Sequence, residues 1–362
     1  MSDELLCSPL EDLHLELGGR LVPFAGWNMP VMYSSILTEH QAVRSAVGVF
    51  DISHMGQFVV TGADAGSWLN GLLANDLGKL SDGTGQYTFL LNEQGGVIDD
   101  LIVYRESPER YFLVVNASKV AEDASWMTSH LQGEVEFSDE SSQWAGMAIQ
   151  GPEASAAFAS AFPGEELPSR NGLARLADGS IVCRTGYTGE DGFELFCASE
   201  SACAIFQRFM EAGATPCGLG ARDSLRLEMG YPLNGSDLSP ERTPLEAGLG
   251  FFVALDKGDF VGRDAMVAQK KEGLDQRLVG IEYLEKGAPP RSHYPVTDAD
   301  GEVLGELASG VLSPSLGKGI GMAYLPIAFT KPGTEVWIDV RGRRFPAQVV
   351  KKPFYKPTTI PA

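Results

Sequence analysis

Two adjacent carboxylates, Asp99 and Asp100, interrupt the apolar run from Val97 to Tyr104. Asp is depleted in strands, and a carboxylate buried there must be paired, hydrogen-bonded or protonated. Successive strand residues point to opposite faces, so at most one of the pair meets the core or a cleft. One reading has one acid capping a turn and the other solvated. The other holds a carboxylate in a pocket for general-base or electrostatic work. Glu194, just past the Gly-rich stretch Gly186–Gly192, is a second acid of this kind. Arg222 and Arg226 are four residues apart in a helical pattern and so share a face, with surface pairing to Asp223 or Glu228 as their simplest role.

The elements that must position these groups follow from periodicity. Apolar runs flank Asn92-Glu-Gln-Gly-Gly96, so Gln86–Tyr104 predicts a β-hairpin with Asp100 on its return strand. Residues 1–50 open with a polar tail and a turn-like Gly26–Pro30; Ile36, His40, Val43 and Val47 then recur at helical spacing in Ser34–Val47. Phe50–Val60 reads as one strand. A strand, a Gly and a helix (Gln57–Gly62, Ala63–Leu73) recur as Gly146–Gly151 and Pro152–Phe162, with Pro152 suited to the first helical position. The first unit continues with the hairpin, a strand Tyr111–Asn116 and a helix Ser118–Leu131. The second continues with Ile181–Phe196, two apolar runs around a turn, and a helix Ser199–Ala212.

The fold class is therefore α+β, with two units carrying antiparallel sheets related by a pseudo-repeat. Residues 1–50 and 140–255 form one unit and 51–139 the other, which carries Asp100. The repeat puts Asp100 and Glu194 at equivalent places, facing one inter-domain cleft. Gly218-Leu-Gly-Ala221 lacks the third glycine and the parallel-strand context of a dinucleotide fingerprint. A short helix Arg263–Glu272 closes at Gly273. Beyond it, Arg277–Leu284, Val303–Ser309, Ile320–Leu325, Thr334–Val340 and Arg344–Lys351 are β-rich runs between turn signals, predicting an all-β barrel or sandwich over 276–362.

Composition narrows the function classes. A net charge of −20 argues against nucleic acid as a main partner, since phosphates must be met by Lys and Arg. No apolar run approaches the ~18 residues of a membrane span, and Met1-Ser-Asp-Glu-Leu-Leu6 has no basic leader character, which makes the cytoplasm the expected compartment. Cys7, Cys183, Cys197, Cys203 and Cys217 hold no C-x-x-C pair, and five scattered histidines form no metal-ligand cluster, so neither a disulfide framework nor a metal is expected. Arg341–Lys356, with Arg341, Arg343, Arg344, Lys351, Lys352 and Lys356 and no acid, is locally basic: a charge-protected strand edge, or a docking patch for an acidic partner.

Taken together, Val22–Pro30, Phe50–Met55, Asn92–Leu101, Gly186–Glu194, Gly218–Glu228, Ser313–Gly317 and Lys352–Tyr355 closely resemble the aminomethyltransferase family of the glycine cleavage system, its T-proteins, in family order along essentially the whole chain. The resemblance implies two related α+β units and a C-terminal β-barrel around a central channel that takes tetrahydrofolate. It implies as partner the lipoylated H-protein, whose aminomethyl group leaves as 5,10-methylenetetrahydrofolate and ammonia. By motif position Asp100 is the catalytic carboxylate and Asp99 structural. Glu194 meets the pterin N–H donors and Arg222 fixes its orientation, while Met55, Tyr87, Tyr104, Asn116, Tyr187 and Tyr231 line the folate channel. Phe251 stands where some relatives carry a larger aromatic. Since both proteins are acidic, Arg341, Arg343 and Arg344 are candidates for local docking of H-protein. A folate-dependent demethylase of the same fold and a non-catalytic folate-binding protein are the alternatives, the latter disfavoured because binding alone needs no buried acid at position 100.

Overall fold

Alternating apolar residues build two sheets that stack face to face with helices outside. A computed structural model describes residues 5–357; the start of the polar tail and residues 358–362 of the barrel assignment lie outside the described residues. One sheet has five strands in the order Thr84–Leu91, Val97–Ser107, Arg110–Val115, Gly56–Thr61, Glu136–Asp139. The other has six: Leu173–Arg175, Ile181–Cys183, Gly192–Ala198, Trp144–Gln150, Gly48–Asp51 and Thr215–Cys217, the last pairing parallel. Val59, Tyr104, Phe112 and Val114 meet Phe50, Ala148, Ile181 and Phe196 between the sheets. Phe112 packs edge-on to Phe196 there at 5.5 Å, an aromatic contact worth about 1 kcal/mol beyond area. The outer faces bury helices Ala65–Leu72 and Val120–Ser129 on one sheet and Ala154–Ala161 and Ala202–Glu211 on the other.

The pseudo-repeat is real, but the two acids are not equivalent within it. Each sheet contains a three-stranded meander whose third strand pairs with the strand that began the unit. Asp100 lies on the meander's second strand and Glu194 on its third. The hairpin that carries Asp100 is the first and second strands of its meander, whereas the hairpin that carries Glu194 is the second and third, after the short first strand Leu173–Arg175.

Other expectations are corrected locally. Phe50–Val60 is two strands in different sheets, Gly48–Asp51 and Gly56–Thr61, because Asp51 Oδ1 accepts from Ser53 N and Met55 N bonds Ile52 O, turning the chain. The turn-like Gly26–Pro30 is mostly strand: Trp27–Met32 pairs with Arg20–Phe24 across Ala25 and Gly26, both at positive φ. Helix Ala154–Ala161 begins two residues after Pro152. Arg263–Glu272 is helical as expected, with Gly273 at φ 97° closing it.

The C-terminal segment is a closed barrel of six strands, Gln276–Tyr283, Gly319–Pro326, Val303–Leu312, Pro295–Thr297, Glu335–Val340 and Arg343–Val350. Ile281, Leu307, Val336, Ile338 and Ala347 fill it. The strand Pro295–Thr297 was not anticipated, being three residues long and opening on Pro. Glu228, at the end of helix Leu219–Glu228, locks the barrel to the sheets. It is fully buried and accepts Ser313 Oγ at 2.5 Å, Ser315 Oγ at 2.9 Å and Arg44 Nη2 at 2.8 Å. That explains the Ser313–Gly317 motif as a clamp.

Candidate functional site

The hairpin was expected to turn at most one acid toward the core or a cleft; instead Asp100 meets a cleft and Asp99 the core, because both faces of this strand are covered. Thr84–Leu91 and Val97–Ser107 pair with Phe89 opposite Asp100, and Asn92 Oδ1 closes the turn by accepting from the N–H groups of Gln94 and Gly96. Asp100 lines a cavity of about 670 Å³ between the two sheets and the 229–262 connector, within the range of small-molecule sites. Asp99 faces the other way and is fully buried, so neither acid is a solvated turn cap.

Asn116 holds the two acids together. Its side-chain amide donates to Asp99 Oδ1 at 2.9 Å and to Asp100 Oδ1 at 3.1 Å, and its backbone N–H to Asp99 Oδ2 at 3.0 Å. Tyr87 donates its phenol to Asp100 Oδ2 at 2.8 Å. Burial, and then the charge of Asp99, push the Asp100 carboxyl up to about 7, against the opposing pull of the Tyr87 hydrogen bond. A carboxyl poised there can take or return a proton at neutral pH.

Across the cavity, Glu194 is mostly buried. Oε2 accepts Thr185 Oγ1 at 2.9 Å, while no hydrogen bond reaches Oε1 from the described residues. Burial raises the Glu194 carboxyl, opposed by the Arg222 charge and the Thr185 hydroxyl. Arg222 lies beside it with its guanidinium 4.7 Å from the centre of the Tyr187 ring. The Tyr187 and Tyr231 rings stack at 5.9 Å and 24°, and Tyr187 donates its phenol to Pro232 O. The far wall is Phe252, edge-on to Tyr87 at 4.9 Å. A carboxylate, a guanidinium and stacked rings suit a flat heterocycle with adjacent N–H donors.

Of the expected residues, Met55, Tyr87, Asp100, Asn116, Tyr187, Glu194, Arg222 and Tyr231 all line this cavity. Tyr104 does not. It is buried between the sheets and hydrogen-bonds Thr185 Oγ1 at 2.7 Å, supporting Glu194 from behind. Phe251 stands at the rim, 93% exposed. Thr185, Asn234 and Phe252 were missed. Arg226 turns away from the cavity and, buried, pairs with Asp237 at 2.8 Å as well as with Asp223. No described residue beyond Phe252 lines the cavity, so Arg341, Arg343 and Arg344 stand apart from it on the barrel. Lys352 leaves the supposed basic patch, packing its stem on Gly230.

Two family models cover this architecture: the GCVT N-terminal domain over residues 10–257 and the glycine cleavage T-protein C-terminal barrel domain over 276–356. The chain belongs to the aminomethyltransferase family. Curated aminomethyltransferases resemble it along nearly their full length: that of Symbiobacterium thermophilum is 44% identical over 98% of this chain and 99% of its own. That of Synechocystis sp. is 46% identical over 97% and 96%. The crystal structure of glycine cleavage system aminomethyltransferase T from Bartonella henselae superposes with a TM-score of 0.93 at 34% identity, covering 98% of this chain and 99% of that one. Among the described residues of this aminomethyltransferase-family chain, no helix is long and apolar enough to cross a membrane, and no group of three acidic, His or Cys side chains is placed to hold a metal.

Proposed function

We propose that this protein is a cytoplasmic, tetrahydrofolate-dependent aminomethyltransferase of glycine cleavage, acting on the aminomethyl-lipoyl arm of H-protein and releasing ammonia, 5,10-methylenetetrahydrofolate and the dihydrolipoyl arm. The single observation that carries this is Asp100, a carboxyl poised near neutrality on the wall of an aromatic cavity that also holds Glu194 and Arg222.

The cavity's chemistry fits a reduced pterin. Glu194 would accept its N–H donors through Oε1, Arg222 would hold Glu194's charge in place, and Tyr187 and Tyr231 would flank the ring. When bound, tetrahydrofolate supplies the nitrogen that takes the one-carbon unit. Asp100, oriented by Tyr87 and Asn116, stabilises positive charge developing beside it and carries the proton. The enclosing walls hold two large substrates in contact, which converts binding into rate. A binding protein without catalysis would not need Asp100 so placed.

The test is methylenetetrahydrofolate formation from aminomethylated H-protein by wild type and Asp100→Asn. Turnover should fall by roughly a hundredfold or more while tetrahydrofolate still binds. An inactive wild type that binds folate would point to the demethylase or the binding-protein reading.

A further inference from the structure

Asp123 lies behind the site, fully buried in the first turn of helix Val120–Ser129. Neither of its oxygens is reached by an N–H, a hydroxyl or a cation among the described residues. Its hydrogen-bond neighbour is another carboxyl, that of Asp99. Two carboxyl groups bond only if one keeps its proton. Asp99 already accepts two N–H groups from Asn116, at 3.0 and 2.9 Å, which favours its anion. Asp123 has no donor to support a charge, so the proton belongs to Asp123.

We propose that Asp123 is a positioning residue for the aminomethyl transfer: the carboxylic-acid donor that holds Asp99 and, through Asn116, sets the orientation and charge environment of Asp100. The inference rests on the function proposed above for its link to catalysis, but not for the proton on Asp123. Burial and the Asp99 charge hold the Asp123 carboxyl up to about 11. The other charges near it are Glu122 and Lys119, which pair with each other at 2.8 Å. Facing Asp100 are Asp99, the phenol of Tyr87 from the paired strand, Asn116 and the side chain of Asn234 from the connector; the Tyr187 ring lies across. The chain of contacts is therefore continuous. With the proton on Asp123 its O–H donates to Asp99; Asp99 receives both N–H groups of Asn116, and Asn116 donates to Asp100.

Two variants separate this role from simple core packing. Asp123→Asn keeps a donor toward Asp99; Asp123→Leu keeps volume and removes the donor. Without it Asp99 takes up a proton itself, its charge no longer raises Asp100, and Asn116 loses an acceptor. Asp123→Leu should lower kcat on the order of ten- to a hundredfold and move the acid limb of the pH profile to lower pH, with KM for folate changed less. Asp123→Asn should restore both the rate and the position of that limb. Equal pH profiles for wild type and Asp123→Leu, after correction for folded fraction, would overturn the proposal. Infrared difference spectroscopy tests the proton without any turnover. At about pH 9, below the titration of Asp123, wild type should show a carboxylic-acid C=O band that Asp123→Asn lacks. Absence of that band in folded wild type overturns the proposal even if Asp123→Leu fails to fold. Its presence in an enzyme inactive toward aminomethylated H-protein would leave Asp123's proton established and refute the reaction assignment alone.

Discussion

Tyr87 and Asp100 are diagonal neighbours on the same face of the central hairpin, and the phenol donates to the carboxyl at 2.8 Å. The relationship sets how easily Asp100 loses its proton: burial and Asp99 raise its pKa, and this hydrogen bond lowers it. Tyr87→Phe removes the donor while keeping the ring against Phe252. A hydrogen bond to a charged group contributes about 1.5–3 kcal/mol, and every ~1.4 kcal/mol shifts the ionisation equilibrium tenfold. The Asp100 carboxyl should then rise from about 7, so the ionised form appears at higher pH. Activity at neutral pH should drop roughly tenfold and recover in alkaline buffer, as a kcat/KM pH profile would show. A uniform loss at every pH would mean that Tyr87 acts by packing alone.

Thr185 stands between Tyr104 and Glu194, with hydroxyl contacts of 2.7 and 2.9 Å. Thr185→Val keeps the shape and deletes both contacts. Glu194 loses a bond that supports its charge, so its carboxyl rises further, and folate binding should weaken roughly tenfold. The buried Tyr104 phenol loses its partner, at a cost of about 1–3 kcal/mol in stability. Titration calorimetry with tetrahydrofolate and a denaturant melt measure the two effects separately.

On the barrel, Arg343 stacks on Phe345 and Arg344 on Trp337, with guanidinium-to-ring distances of 4.8 and 5.4 Å. Stacked guanidiniums are stiff donors for an acidic surface. Replacing both arginines by Glu should raise KM for aminomethylated H-protein several-fold, more at low salt, and leave folate affinity unchanged. Unchanged kinetics at low salt would remove this patch from the docking surface.

Glu228 titrates with the opposite sign from Asp100. His40, Ser313 and Arg44 outweigh its burial and hold it down to about 2, against 4.5 in the unfolded chain. A depressed carboxylate stabilises the fold above the unfolded value, and that contribution disappears as pH falls through the folded value. Glu228→Gln should therefore cost about 3 kcal/mol at neutral pH, with the gap to wild type narrowing between roughly pH 4.5 and 2. Chemical denaturation at a series of pH values measures this directly.

How much of this was legible depended on whether a residue broke its local pattern. Asp100 did, as a carboxylate in an apolar strand, and Asn92–Gly96 announced the turn beside it. Asp123 did not: an acid in the first turn of an amphipathic helix reads as a solvated, dipole-favoured position, and only the packed sheet shows that it points inward. Thr185 was equally silent, since threonine is ordinary next to a strand. Phe50–Val60 misled because strands buried on both faces run on without alternation, hiding the turn at Ser53. The equivalence of Asp100 and Glu194 failed because Leu173–Arg175, only three residues long, gives no strand pattern in the sequence, so the second and third strands of one meander were matched to the first and second of the other.

Gly96 ties the hairpin to the connector that closes the cavity. Gly95 takes φ 79° in the turn, a conformation glycine adopts freely, but Gly96 is needed for a different reason. A Cβ there would lie 1.7 Å from Pro240 O, whose carbonyl accepts Asn92 Nδ2 at 2.9 Å. Nearby, Val97 N bonds the carbonyls of Ser239 and Arg242. Gly96→Ala must push the 229–262 connector outward, and that connector carries Tyr231 to the cavity and Asn234 to Asp100. Overpacking costs of about 1–3 kcal/mol are usual, and backbone is the stiffest neighbour to displace. The variant should melt earlier and bind folate more weakly, whereas Gly71→Ala, at a position with open space around it, should do neither. If Gly96→Ala melts and binds like wild type, the connector is not held by this contact and its order comes from the barrel side.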